Sequence, residues 1–234
     1  MKKIAKLFVL FSMSVFLSSC VGQNQTGSPK ENIEAEIKDT VTSSGYNDPN
    51  IYTKYEYTDS ISKSLIIQNS FPKGETYTDP NGKEYFKVIF WTRIINETDS
   101  PLDLKIGFPV DSYELPSSPG KYFKILLPSD TITIGKGPLY NYGLIGLKSF
   151  LDDSIHKQSS LKRTINPKES SGFYVVILFD NGVGGPFRTG LSIKGKNLFY
   201  RVSRYASTPA HSLLIDEKEI NCGSINLGNL LLKK

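Results

Sequence analysis

From about residue 50 onward, apolar and polar positions alternate with a period of two, the spacing of strands with one buried face. The pattern predicts short strands at 64–69, 85–95, 102–106, 122–127, 131–134, 173–179, 191–194, 198–203 and 225–232. The run at 85–95 is the strongest. It places Phe86, Val88, Phe90 and Ile94 on one face and Ile89, Trp91 and Ile95 on the other. The run at 173–179 (FYVVILF) is apolar on both faces and predicts a central strand. Turn chemistry separates these runs. Asp79-Pro80-Asn81-Gly82 joins a fixed φ to a residue that accepts positive φ. A turn at 96–101 follows the long strand, and Lys194-Gly195-Lys196-Asn197 reads as a hairpin turn. One stretch breaks the period: Leu144, Leu147, Leu151 and Ile155 recur every three or four residues, as on a short helix.

The N-terminus follows another rule. Lys2, Lys3 and Lys6 precede an apolar run at 7–17, the charge order and length of an export signal. The run is too short, and too interrupted by Ser12 and Ser14, for a span of ~20 apolar residues. It ends in Leu17-Ser18-Ser19-Cys20, which resembles the lipobox of bacterial lipoproteins. That resemblance implies cleavage between Ser19 and Cys20, diacylglycerol on the Cys20 thiol, and acylation (palmitate) of the new amine. Two or three acyl chains anchor stably where one does not, since each buried CH₂ contributes about 0.8 kcal/mol. No acidic residue follows Cys20 until Glu31. In a Gram-negative host the resemblance then implies the outer membrane, facing the periplasm. Residues 20–50 are rich in Gln, Asn, Ser, Gly and Pro and read as a tether. The expected organisation is a signal peptide at 1–19, the lipidated Cys20 with its tether at 20–50, and one folded domain at 51–234.

Many short strands without β–α alternation point to an all-β domain. Two passages sharpen this. IINETDSPLDLKI is similar to the B-to-C passage of bacterial immunoglobulin-like domains, and TINPKESSGFYVVILF to their E-to-F passage. The resemblance implies an immunoglobulin-like antiparallel β-sandwich with a short helical insertion near 144–157.

Composition mainly excludes. With 28 basic and 23 acidic residues the formal charge is +5, but three of the lysines lie in the export signal, leaving 25 minus 23, or +2. Nothing here argues for nucleic acid. A structural zinc site wants four Cys or His ligands, and with two Cys, one of them taken by lipid, and two His it is nearly impossible; no sequence pattern calls for a metal or cofactor.

Chemistry-bearing residues are few. His156 stands near Asp152, Asp153, Ser159 and Ser160, but a catalytic triad is defined by geometry and there is no G-x-S-x-G elbow. His211 and Cys222 are the other candidates. Cys222, left alone once Cys20 is lipidated, reads as a small buried hydrophobe or an intermolecular partner. The glycine-rich 181–190 lacks the G-K-[ST] ending of a phosphate loop and reads as a wide turn. Asp-[Ser/Thr]-aliphatic triplets begin at Asp39, Asp59, Asp130 and Asp153 and resemble O-glycosylation acceptors of one Gram-negative phylum. Asn96-Glu97-Thr98 is an N-glycosylation sequon only in hosts with that machinery. Among the tyrosines, Tyr140 and Tyr142 of YNYG, beside the helical stretch, are the candidate contacts for a partner or ligand. The reading is a non-catalytic binding or structural module of the cell envelope, held to the membrane by lipid and facing an unknown protein or glycan. The alternatives are a glycan-binding accessory lipoprotein and, after it, a hydrolase.

Overall fold

The computed structural model describes residues 48–58, 63–207 and 212–227. The lipobox, the expected tether up to residue 47, His211 and the end of the strand expected at 225–232 lie outside them. The strands are β1 (Ile51–Thr58), β2 (Ser64–Ser70), β3 (Lys73–Thr78), β4 (Glu84–Asn96), β5 (Leu102–Phe108), β6 (Tyr113–Leu115) and β7 (Ser118–Leu126). After a helix, α1 (Leu147–Ser154), come β8 (Ser159–Ile165), β9 (Ser170–Asp180), β10 (Phe187–Lys194), β11 (Asn197–Ser207) and β12 (Ser212–Asn226). They form two antiparallel sheets. The first runs β1-β2-β4-β9-β7-β6, with β3 also on β4; the second runs β10-β11-β12-β5-β8.

Alternate residues of both sheets meet in one apolar core. Ile67, Phe90, Ile94, Val175 and Ile177 come from the first sheet, and Leu104, Leu191, Leu198, Val202 and Ile225 from the second. Each fully buried aliphatic side chain contributes roughly 1.5–3 kcal/mol. The doubly apolar β9 is central, between β4 and β7, and its other face (Tyr174, Val176, Leu178) is covered by α1 and its flanking loops. The Asp79 turn forms as expected: Gly82 takes φ +82° and Asp79 Oδ1 accepts from the amides of Asn81 and Lys83. The Lys194–Asn197 hairpin joins β10 to β11, with Gly195 at φ +64°.

Side chains stitch the sheets together. β10 is an edge strand, and two of its amides are satisfied from the first sheet: Leu191 N–H donates to Asn69 Oδ1 at 2.9 Å and Ile193 N–H to the Tyr57 hydroxyl at 2.8 Å. Capping these amides protects the edge from wrong pairing. Elsewhere, the buried Asp216 of β12 accepts from Arg204 Nε at 2.6 Å and from Ser117 N–H in the β6–β7 turn, also at 2.6 Å.

The two passages that resemble immunoglobulin-like domains are indeed crossings between the sheets, but in an unexpected relation. β4→β5 passes from the first sheet to the second, and β8→β9 passes back. In an immunoglobulin order both would run the same way, putting B beside E and C beside F. Here β4 pairs with β9 and β5 with β8, so both crossings meet at one end. Asn96 ties them. It is fully buried, and its Nδ2 donates to the carbonyls of Ser100 (2.8 Å), Ile165 (3.0 Å) and Asn166 (3.1 Å). Its Oδ1 accepts from Thr98 N–H at 3.0 Å. In the folded chain this asparagine is therefore no accessible glycosylation acceptor.

Other expectations need correction. Residues 131–134 are not a strand: Ile132 and Thr133 lead into a 3₁₀ turn at Ile134–Lys136. Gly135 and Gly137-Pro138 end the extended run, and Ile132 packs where a side chain at Gly172 would stand, 2.4 Å from its Cγ2. The helix is shorter than its periodic stretch, yet Leu144, Leu147, Leu151 and Ile155 are all buried. β1, β3, β8 and most of β12 had no clear apolar alternation. In β12 the charged run Asp216–Glu219 masks the strand, and a bulge at Cys222 shifts its register against β11.

Candidate binding cleft

The connection between β7 and β8 lies across the outer face of the first sheet. That face is apolar because Ile89 and Trp91 of β4 and Tyr174, Val176 and Leu178 of β9 point outward, opposite the core. Leu144, Leu147, Leu151 and Ile155 cover it. Polar side chains of the sheet hold the connection in place. Lys73 Nζ donates to the carbonyls of Gly137 (3.1 Å) and Leu139 (2.5 Å) and sits 4.0 Å from the Tyr142 ring centroid. Buried Lys124 donates to the carbonyl of Ile155, where a cation complements the helix C-terminus. The Tyr77 hydroxyl donates to Asp152 at 2.8 Å.

The YNYG turn divides the two candidate tyrosines. Asn141 and Tyr142 both adopt left-handed backbone, φ +47° and +57°, which costs non-glycine residues about 1–3 kcal/mol each. Tyr142 is buried, and its hydroxyl donates to Phe71 O at 2.6 Å. Its own carbonyl accepts from the Tyr174 hydroxyl at 2.8 Å. It is a packing residue and cannot share a contact surface with Tyr140, which is 76% exposed. The Tyr140 hydroxyl donates to Glu75, which also pairs with Lys87 at 2.7 Å and accepts from Asn141 Nδ2 at 3.0 Å. The Lys87 ammonium, then the Tyr140 hydroxyl, hold the Glu75 carboxyl down to about 2. Tyr140 is thus a braced aromatic, with Leu139, Ile134 and Ile145 of the same connection also exposed.

Between this connection and the sheet lies a cleft of about 230 Å³. Asp48, Ile51, Gln68, Trp91, Arg93, Ile132, Thr133, Ile134 and Gly137 line it. Trp91 is 5% exposed, and among the described residues its buried indole Nε1 has no hydrogen-bond partner, as is also true of the Tyr200 hydroxyl within the core. A buried unpaired donor costs about 1–3 kcal/mol, so an isolated one needs an explanation. Gln68 and Arg93 stand opposite each other in register on β2 and β4. Arg93 reaches the Ser170 hydroxyl at 3.0 and 3.2 Å, and among the described residues no carboxylate lies within ion-pair distance of it. A larger, open groove beside edge strand β8 is walled mostly by polar side chains, including Ser160, Lys162, Arg163 and Ser171.

The remaining candidates do not assemble a reactive centre among the described residues. His156 is exposed in the turn after α1 and lines neither recess. Asp152 is engaged by Tyr77 and Lys148, and the Ser159 hydroxyl accepts from Leu127 N–H at 2.6 Å. Cys222 is buried and free. Its thiol donates to Leu198 O at 3.4 Å, and burial pushes it up to about 12. Of the glycine-rich 181–190, residues 181–186 are the wide turn from β9 into β10 and 187–190 already belong to β10; a side chain at Gly185 is excluded by Tyr205 O at 2.6 Å. Of the Asp-Ser/Thr triplets, those at Asp130 and Asp153 fall within described residues, where Thr131 is exposed and Ser154 ends α1. No group of metal-ligating side chains occurs among the described residues, and no helix there is long and apolar enough to cross a membrane.

The sequence placed Trp91 on the second face of its strand, but not in a cleft. The cover comes from residues 132–134 and 137, the first three of which fall in the strand that the alternation predicts at 131–134. No protein family, no curated protein and no solved structure matches the chain.

Proposed function

We propose that this is a lipid-anchored envelope protein whose folded domain is a non-catalytic binding module. In this reading Cys20 carries the lipid, the residues from there up to about 47 are the tether, and the outer face of the first sheet meets the ligand. The domain is immunoglobulin-like in having two packed antiparallel sheets, and departs from that family in which strands pair. The observation that carries the binding reading is the unpaired Trp91 N–H in a mostly apolar cleft with a polar end. Such convergence of apolar wall and few polar groups is the usual form of a small-molecule site. A glycan-stacking platform is less well supported, since it needs several exposed aromatics together and Tyr142 is withdrawn from Tyr140.

Two measurements test the reading. Radiolabelled palmitate should enter the wild-type protein and not Cys20→Ala, which should also leave the membrane fraction. For the cleft, a panel of small apolar molecules, each with one hydrogen-bond acceptor, is screened by thermal unfolding. A ligand that binds only the folded state raises its stability by RT ln(1 + [L]/Kd). At least one member should raise the unfolding temperature of wild type and not of Thr133→Phe, which fills the cleft. A panel without effect overturns the binding reading.

A further inference from the structure

We infer that the Trp91 cleft takes a small amphiphilic carboxylate, an acyl or aryl acid, with its apolar body inside and its head group toward Arg93. The inference rests on the cleft being a binding site and adds the chemistry of what fills it. Four observations converge.

First, the cleft has apolar walls from three elements: Ile51 of β1, Trp91 of β4, and Ile132 and Ile134 of the covering connection. Its volume, about 230 Å³, lies below that of drug-sized sites and suits a single short chain or ring. Second, the Trp91 Nε1–H is a donor only, buried and unpartnered, so the missing partner is an acceptor. Third, Arg93 lies two residues along the same strand on the same face, about 7 Å away at the backbone. A carboxylate bound between them meets both donors. Fourth, the two charged side chains that line the cleft, Arg93 and Asp48, differ in what already engages them. Lys54, on the neighbouring strand in register with Gln68, is already paired with Glu56 at 3.0 Å. Asp48, which also lines the cleft, has one carboxylate oxygen accepting from the backbone N–H and Nδ2 of Asn50, both at 2.9 Å. Among the described residues Arg93 donates only to a neutral hydroxyl, that of Ser170. A planar guanidinium with spare N–H groups and no carboxylate is the natural partner for one, and charge-assisted bonds are roughly twice as strong as neutral ones.

Trp91 is the single tryptophan of the chain, so its fluorescence reports on the cleft alone. The experiment titrates octanoate, 1-octanol and octylamine separately, below micelle formation, into wild type and Arg93→Gln. Octanoate should change the Trp91 emission saturably, and octanol should bind at least ten-fold more weakly. Octylamine should not bind measurably. Arg93→Gln should reduce octanoate to the level of octanol, with unchanged unfolding temperature as the check on folding. If octanol matches octanoate in wild type, or Arg93→Gln binds octanoate as tightly, the carboxylate assignment is overturned while the cleft stands. If none of the three probes alters the emission or the unfolding temperature, the assignment falls together with the cleft.

Discussion

Replacing Asn96 by Asp tests the join between the sheets with one atom changed. The amide nitrogen faces three carbonyls, of Ser100, Ile165 and Asn166, at 2.8 to 3.1 Å. In N96D an oxygen stands there instead. The two N–H groups that those three carbonyls share are lost, at about 1 kcal/mol for each bond. The new carboxylate is also fully buried against three partial negative charges, so it escapes mainly by staying protonated. Together the loss should reach about 4–5 kcal/mol at pH 7.5, a large share of the usual 5–15 kcal/mol of total stability. For a domain of this size that lowers Tm by about 8–20 °C. The pH dependence follows from proton binding. The introduced carboxyl has a raised pKa in the folded state and an ordinary one, about 3.9, when unfolded. Between those values the folded state holds more protons, so the variant loses stability as pH rises. Urea unfolding of wild type and N96D at pH 4.5 and 7.5 should show a smaller gap at the lower pH. A gap under about 1 kcal/mol at pH 7.5, or one that widens on acidification, refutes the clamp.

Other outcomes follow from the same packing. Gly223→Ala would set a Cβ 2.0 Å from Lys105 O, at φ +149°. The strained backbone alone costs about 1–3 kcal/mol and the clash adds to it, which calorimetry should register as a Tm fall beyond that of a surface control. Arg204→Met leaves Asp216 buried and unpaired, at a cost of about 3–5 kcal/mol in chemical unfolding, and adding Asp216→Leu should recover much of it. Ellman's reagent should find no reactive thiol in the native protein at pH 8, since Cys222 is buried and the proposed lipid occupies Cys20, and one per chain in denaturant; fast native labelling contradicts this. Glu75 is depressed from 4.5 to about 2, so its bracing of Tyr140 is complete above 4.5 and lost as pH falls toward 2. Proton NMR of Tyr140 should show that loosening in wild type, and Glu75→Gln should show no such acid transition.

What the sequence disclosed depended on whether the relevant contact was local. β4 and β9 were legible because both of their faces are apolar and a turn signature precedes β4. The buried set Leu144, Leu147, Leu151 and Ile155 was legible because helical spacing survives in a short helix. The cleft was not. Its cover, Ile132 to Gly137, begins in residues 131–134, which look like a strand by alternation, and long-range contacts place it instead: Ile132 against Gly172, forty residues away, and the Gly137 carbonyl on Lys73. Tyr142 and Tyr140 share the composition of one turn, and only the left-handed backbone at 141 and 142 turns one inward and the other outward. The strand pairing escaped for a similar reason. The direction of a crossing between sheets is a long-range property, and β8 carries too little apolar alternation to mark its partner.

The single tryptophan also allows the most direct test of the binding account. In a ¹H–¹⁵N spectrum of the protein, Trp91 gives one indole cross-peak. The account predicts that this peak lies at the position of an unbonded, slowly exchanging N–H, and moves downfield on addition of octanoate as the hydrogen bond forms. A peak that stays in place with octanoate at saturating concentration, or that already has the shift of a hydrogen-bonded indole in the free protein, would contradict it.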